Sequence, residues 1–175
     1  MHNIFDIYIN NDNNSSRYAL GNSGNRTLIV FGVNPSIANQ LKSDNTISKI
    51  KNFSAIKGYD SFIVFNIYPK RSTDPKKLPK RIVKADHLFN VKIIKEQLIN
   101  IDNLTIWAAW GDTIGIRSYL IDCLSNIKLS IESYKPKWIN CGSLTRLGHP
   151  RHPSRLGYKN NFFDFDIDSY LNSNK

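Results

Sequence analysis

TLIVFGVNPS, residues 27–36, is the stretch that decides the fold. Its first seven residues are a continuous β-branched and apolar run, which reads as a strand buried on both faces. Asn34-Pro35-Ser36 ends the run, because proline cannot donate to a strand ladder. The pattern recurs downstream. SFIVFNI (61–67) reads as a second buried strand, LTIWAAW (104–110) as a third and KWINC (137–141) as a fourth. Helical patterns lie between them. Asp44 or Asn45 can cap a helix over about 46–57, with Ile47, Ile50, Phe53 and Ile56 on one face and Gly58 as its stop. Leu88, Val91, Ile94 and Leu98 recur at helical spacing over about 85–100. Asp112 can cap a third helix, running to about Leu124. Residues 1–25 read as a peripheral hairpin or strand with a loop, and FFDFDI as a short strand before a final helical turn.

Strand–helix–strand alternation at intervals of roughly 30 to 40 residues implies right-handed crossovers and a mostly parallel sheet. The expected fold is α/β: one domain over residues 1–175, a three-layer α/β/α sandwich around a central, mostly parallel four-stranded sheet. Such sheets bind ligands beyond the carboxyl ends of their strands. The unusual segments fall there: Gly32–Ser36, Asn66, Trp110–Asp112 and His149–Ser154. Four polar, turn-forming segments are therefore expected to converge on one edge of the sheet.

With 41% hydrophobic and 22% charged residues, the 175-residue chain has the balance of one globular domain rather than a disordered tail. No apolar run nears the roughly 20 residues of a membrane helix. The start, MHNIFDIYINNDNN, lacks a basic segment and an apolar core, so a secretory signal is not expected. Cys123 and Cys141 alone make neither a disulfide framework nor a four-ligand zinc site. A cytoplasmic, monomeric protein with free thiols, without membrane contact and without a cofactor, is expected.

The formal net charge is +10. Nine basic residues crowd between Lys70 and Lys95 against Asp74 and Asp86, and Arg146, Arg151, Arg155 and Lys159 form a second cluster free of acids. Local positive fields of this kind attract polyanions, and phosphate contacts supply sequence-independent affinity. A basic surface without a partner is the plain alternative.

Gly32 permits close backbone approach and Pro35 fixes a bend. Asn34 offers an amide that can hold a water or a base edge, or can satisfy local backbone groups, but it cannot act as a general base. Asn66 interrupts an apolar strand; it either ties loops together or reads a base edge. In the loop Gly148–Gly157, imidazole and guanidinium groups can face an anion, and a His donor can stabilise charge on a departing base. His149 and His152 look like a metal pair, but no third ligand or aligning helix accompanies them, so no metal site is expected. Tyr68 or Trp110 could stack on an extruded base. No phosphate-loop, dinucleotide, nucleophile-elbow or zinc-protease motif is present.

The ordered set G-V-N-P-S, I-V-F-N, W-A-A-W-G and H-P-S resembles the uracil-DNA glycosylase superfamily. Gly32–Ser36 is similar to the G-I-N-P-G motif of the mismatch-specific branch, whose Asn positions the attacking water. By that resemblance Asn34 orients water, Asn66 reads the base, and His152 of His152-Pro153-Ser154 stabilises the leaving base. Leu156 is the nearest candidate for the family's apolar wedge. The chain resembles still more closely an uncharacterised bacterial and phage domain family with N-P-S-x-A, D-x-T, W-G and G-x-P-x-H-P motifs, over roughly residues 17–157. It departs from the uracil enzymes in two places. Their water-activating Asp is absent from the first motif, and their thymine-blocking aromatic has no counterpart at Ser36. Asp44 is left as either a helix cap or the missing base.

The resemblance implies a monofunctional DNA glycosylase that flips out a uracil or, in preference, a modified base such as a hypermodified cytosine of phage DNA, in an anti-phage setting. Its expected catalytic residues are Asn34, His152 and Asp44. Gly32, Pro35, Ser36, Asn66, Tyr68 and Trp110 would hold the base. Lys70, Arg71, Arg146, Arg151, Ser154, Arg155 and Leu156 would grip DNA. The alternatives are a non-catalytic nucleic-acid-binding module and an N-glycosidase of free nucleotides or nucleosides.

Overall fold

The computed structural model describes residues 4–174. The strands are β1 (Ile7–Asn10), β2 (Arg17–Asn22), β3 (Thr27–Gly32), β4 (Ser61–Asn66), β5 (Thr105–Ala108), β6 (Lys137–Cys141) and β7 (Phe162–Asp164). The helices are α1 (Asn45–Ile56), α2 (Lys84–Leu98), α3 (Tyr119–Ser130) and α4 (Ile167–Ser173). All seven strands join one sheet in the order β1-β2-β4-β3-β5-β6-β7.

This corrects the expected four-stranded, mostly parallel sheet of the uracil-DNA glycosylase type. β4, β3, β5 and β6 do run parallel. Both of their edges are then covered by antiparallel strands: β2 on β4, with β1 outside it, and β7 on β6. A parallel strand left at an edge exposes unpaired backbone donors and acceptors, and short antiparallel strands close that edge. The N-terminal segment forms the β1–β2 hairpin at one edge of that sheet. The chain remains α/β, but its sheet is mixed.

The side chains of each parallel strand alternate between two cores. Leu28 and Val30 of β3 and Val64 of β4 pack with Ile47, Ile50 and Phe53 of α1. Ile29 and Phe31 of β3 face the other way, toward Ile94 of α2, Leu120 and Leu124 of α3 and Tyr170 of α4. Helices on both faces explain why these strands read as unbroken apolar runs. α1 begins where expected: Asp44 is its N-cap, and its Oδ1 accepts the Ile47 N–H at 2.9 Å. Asp112, however, caps no α-helix. Gly111–Ile116 is a 3-10 turn, and α3 starts only at Tyr119 after Ser118. Among the described residues, no helix is long and apolar enough to cross a membrane.

Candidate functional site

A cavity of about 70 Å³ opens at the carboxyl ends of β3 and β4, on the face covered by α1. At about 10–15 Å³ for each water, it has room for a group of about five to seven heavy atoms, the size of one small ring. Its wall is apolar where Val30, Val64, Ile47 and Ile50 meet, and polar where Asn34, Asp44, Asn66 and His152 meet. Val33, Asn34, Ser36, Thr46 and His152 also line a second, wider cleft of about 830 Å³. Arg146, Arg151 and Arg155 stand along that cleft. The expected convergence of strand-end segments is therefore present, as a small chamber at the back of a basic cleft.

Each polar group has a defined state. Asn34 donates its Nδ2 to the carbonyls of Ser72 (2.9 Å) and Pro35 (3.1 Å), which leaves Oδ1 as its free acceptor. Asn66, 3% exposed, has its backbone carbonyl held by Asn90 Nδ2 at 2.9 Å, while its own Nδ2 has no partner. Gly32 packs closely beneath it: a Cβ there would stand 3.1 Å from Asn66 Oδ1, so the amide would have to shift by a few tenths of an ångström. The Ser154 backbone N–H points to His152 Nδ1 at 3.3 Å, with Ser154 Oγ 2.8 Å away. A backbone N–H can only donate, so Nδ1 accepts and the neutral ring carries its proton on Nε2. Burial holds the His152 pKa below the usual 6.5, opposed by Asp44 and aided by Arg155 and Lys49. His152 is thus a neutral donor at pH 7. Asp44 caps α1 through Oδ1 and also lines the cavity.

Several expected site residues lie elsewhere. Tyr68 is fully buried on the opposite face of the sheet, accepts the Val83 N–H at 3.2 Å and packs on Tyr119. Trp110 borders the wider cleft but is equally buried; its Nε1 donates to Tyr170 Oη at 3.0 Å, and its ring packs among Trp138, Phe165 and Tyr170. Neither has a free face for a base. Pro35 is buried and not on the cavity wall; its carbonyl accepts the Ser72 N–H at 2.8 Å. Arg71 is a clamp rather than a phosphate grip, since it donates to the carbonyls of Ser36 and Ala38 and to Tyr8 Oη and Asn14 Oδ1. Lys70 pairs through its backbone with Ser16 and lines neither the cavity nor the cleft. Leu156 is 2% exposed in the α1-side core, so it cannot serve as a wedge. His149 is buried, with Nδ1 2.8 Å from Tyr170 Oη, and so belongs to the Trp110–Tyr170 chain. Burial pushes the Tyr170 hydroxyl up to about 12.

Two residues were missed by sequence reasoning. Leu147, beside Arg146, is 69% exposed on a tight turn closed by Gly148 N–H to Thr145 C=O (3.0 Å) and Thr145 N–H to His149 C=O (2.8 Å). The other is Arg17, 2% exposed and on the cavity wall. Its Nη1 donates to the Ala38 carbonyl at 2.9 Å, and its Nε has no partner. Burial, then the neighbouring Arg71, lowers its pKa to about 10. The available signal was a lone Arg opening the apolar run RYAL, but nothing local placed that strand beside β4.

Residues 17–154 match the family described as a protein of unknown function, DUF1643, and the chain belongs to that family. No curated protein and no solved structure matches it.

Proposed function

We propose that this member of the DUF1643 family is a monofunctional DNA glycosylase acting in the cytoplasm. One observation carries the reading: Asn34, Asp44, Asn66 and His152, from four separate segments, line one ring-sized cavity that opens into an arginine-lined cleft. The cleft side chains Arg146 and Arg155 suit a phosphate backbone. Exposed Leu147 beside Arg146 is the apolar group that would fill the gap left by an extruded nucleotide. The buried thiols Cys123 and Cys141, unpaired and pushed up to about 12 and 11 by burial, suit a reducing compartment.

The reaction is hydrolysis of the N-glycosidic bond. The base ring enters the cavity, its faces against Val30, Val64, Ile47 and Ile50, and any ring substituent extends into the wider cleft. The C1′–N bond breaks, and its electron pair leaves with the base. Asn34 Oδ1 and the free oxygen of Asp44 orient a water whose oxygen bonds to C1′; Asp44 takes the water's proton and returns it to the base. His152 Nε2–H donates to the base as negative charge develops on it, which a neutral imidazole fixed in one tautomer does without reorganising. No lyase step is included, because no lysine among the described residues lines the cavity.

The test is incubation with single- and double-stranded oligonucleotides carrying single defined bases, and with modified phage genomes, followed by alkali. Abasic-site cleavage that disappears in Asn34→Ala supports the reading. Salt-sensitive binding without abasic product makes the protein a binding module, and base release from mononucleotides without DNA binding makes it a nucleotide N-glycosidase.

A further inference from the structure

Arg17 is a buried cation with no anionic partner. The ion pairs among the described residues are all made by lysines. Arg17 shares the Ala38 carbonyl with Arg71, but of the two only Arg17 lines the cavity. Asp44 is the carboxylate whose charge reaches Arg17, but Asp44 spends Oδ1 on the α1 cap. Arg17 and Asp44 are the charged side chains on the chamber wall; no salt bridge joins them, and Arg17 Nε has no hydrogen-bond partner. A buried unpaired charge is costly and persists where something else compensates it. The second unpartnered donor on the same wall is Nδ2 of Asn66. Arginine has donors only. An occupant that satisfies both donors offers oxygen acceptors, while its faces meet valine and isoleucine.

We propose that Arg17 is a further catalytic residue: it binds a ring oxygen of an oxo-pyrimidine and holds the negative charge that the base acquires as its glycosidic bond breaks. This rests on the glycosylase reading and adds the substrate class to it. The electron pair of the C1′–N bond delocalises onto the ring oxygens facing Arg17 and Asn66; the base then takes a proton and leaves neutral, and water supplies the hydroxyl at C1′. The guanidinium itself stays protonated throughout. Its donors are already in place on the chamber wall, so they stabilise the developing charge without reorganising. His152 acts at the mouth of the chamber, shared with the cleft, and Arg17 at its interior. The two stabilise the same anion from different walls.

The experiment has a binding arm and a turnover arm. Free 5-fluorouracil, largely anionic at mildly alkaline pH, is compared by calorimetry with 1,3-dimethyluracil, which cannot ionise. Wild-type protein should prefer the ionised ring by about tenfold or more, Arg17→Lys should keep part of that preference, and Arg17→Gln should lose it. In the turnover arm, Arg17→Gln should lower kcat on DNA by about 10²-fold with KM little changed, the size found for removing one donor from an oxyanion site. Thermal melts of both variants establish that they fold; if Arg17→Gln does not, wild type and Arg17→Lys decide. Absence of any preference in wild type, or its persistence in Arg17→Gln, overturns the proposal. So does abasic-site formation by Arg17→Gln at the wild-type rate, which leaves the glycosylase reading standing. A clear anion preference with no cleavage of any DNA overturns the glycosylase reading and with it the catalytic role of Arg17, leaving only a binding site for an oxo-pyrimidine anion.

Discussion

Replacing Gly111 by alanine tests whether the backbone after β5 positions His152. Gly111 has φ +60°, and its N–H donates to the Pro150 carbonyl at 2.8 Å. An added Cβ would stand 3.1 Å from His152 Cβ and 3.4 Å from its backbone nitrogen. The left-handed conformation costs a non-glycine residue about 1–2 kcal/mol. For a chain of this size each kcal/mol shifts Tm by about 2–4 °C, so the melt should drop by roughly 2–8 °C. The contact adds a second effect, because His152 must retreat by a few tenths of an ångström. Gly148→Ala is the control: Gly148 has φ +79°, and nothing lies within 4 Å of its added Cβ. Both variants should melt earlier, but only Gly111→Ala should lose base release, by tenfold or more for a misplaced catalytic group. Thermal melts read beside abasic-site assays make the comparison. Equal activity losses in the two variants would refute the reasoning, since loop stability alone would then explain them.

Other expectations follow from burial and hydrogen bonding. Leu156→Ala should destabilise the protein by about 2–5 kcal/mol in denaturant unfolding, whereas exposed Leu147→Ala should leave unfolding unchanged and weaken DNA binding. Tyr170→Phe removes the acceptor of Trp110 Nε1–H and the partner of His149 Nδ1; about 1–3 kcal/mol for each orphaned buried group should appear as a lower denaturant midpoint. His87, His149 and His152 all have pKa values lowered by burial from 6.5. The unfolded chain then binds more protons between each lowered value and 6.5, so stability should be flat above about pH 6.5 and fall as pH drops below it. The lowered carboxylates Asp6, Asp60 and Asp166 act only below 3.8, which separates the two windows in a melt series. A Tm unchanged between neutral pH and 5 would contradict the histidine assignment.

The sequence by itself determined the four parallel strands, because strands buried on both faces have to be apolar throughout and end where proline and glycine punctuate. It also determined which side chains reach the strand ends: Asn34, Asn66 and His152 each sit at a break in an apolar pattern, and a carboxyl-end location follows from crossover topology. Local chemistry made Asp44 legible as a cap. Tyr68 and Trp110 misled because an aromatic beside a strand end reads alike whether its ring faces ligand or core; only the packing of Tyr119 and Tyr170 against them decides. Leu156 and Leu147 are likewise the same residue type a few positions apart, one buried by α1 and one left on a turn. The tertiary structure alone decided Arg17. Strand pairing is a long-range contact that no local pattern encodes. Because β2 runs antiparallel to β4, Leu20 pairs with Val64, and the first residue of β2 comes to lie at the carboxyl end of its neighbour. The same antiparallel edge that makes the sheet mixed carries a guanidinium into the chamber.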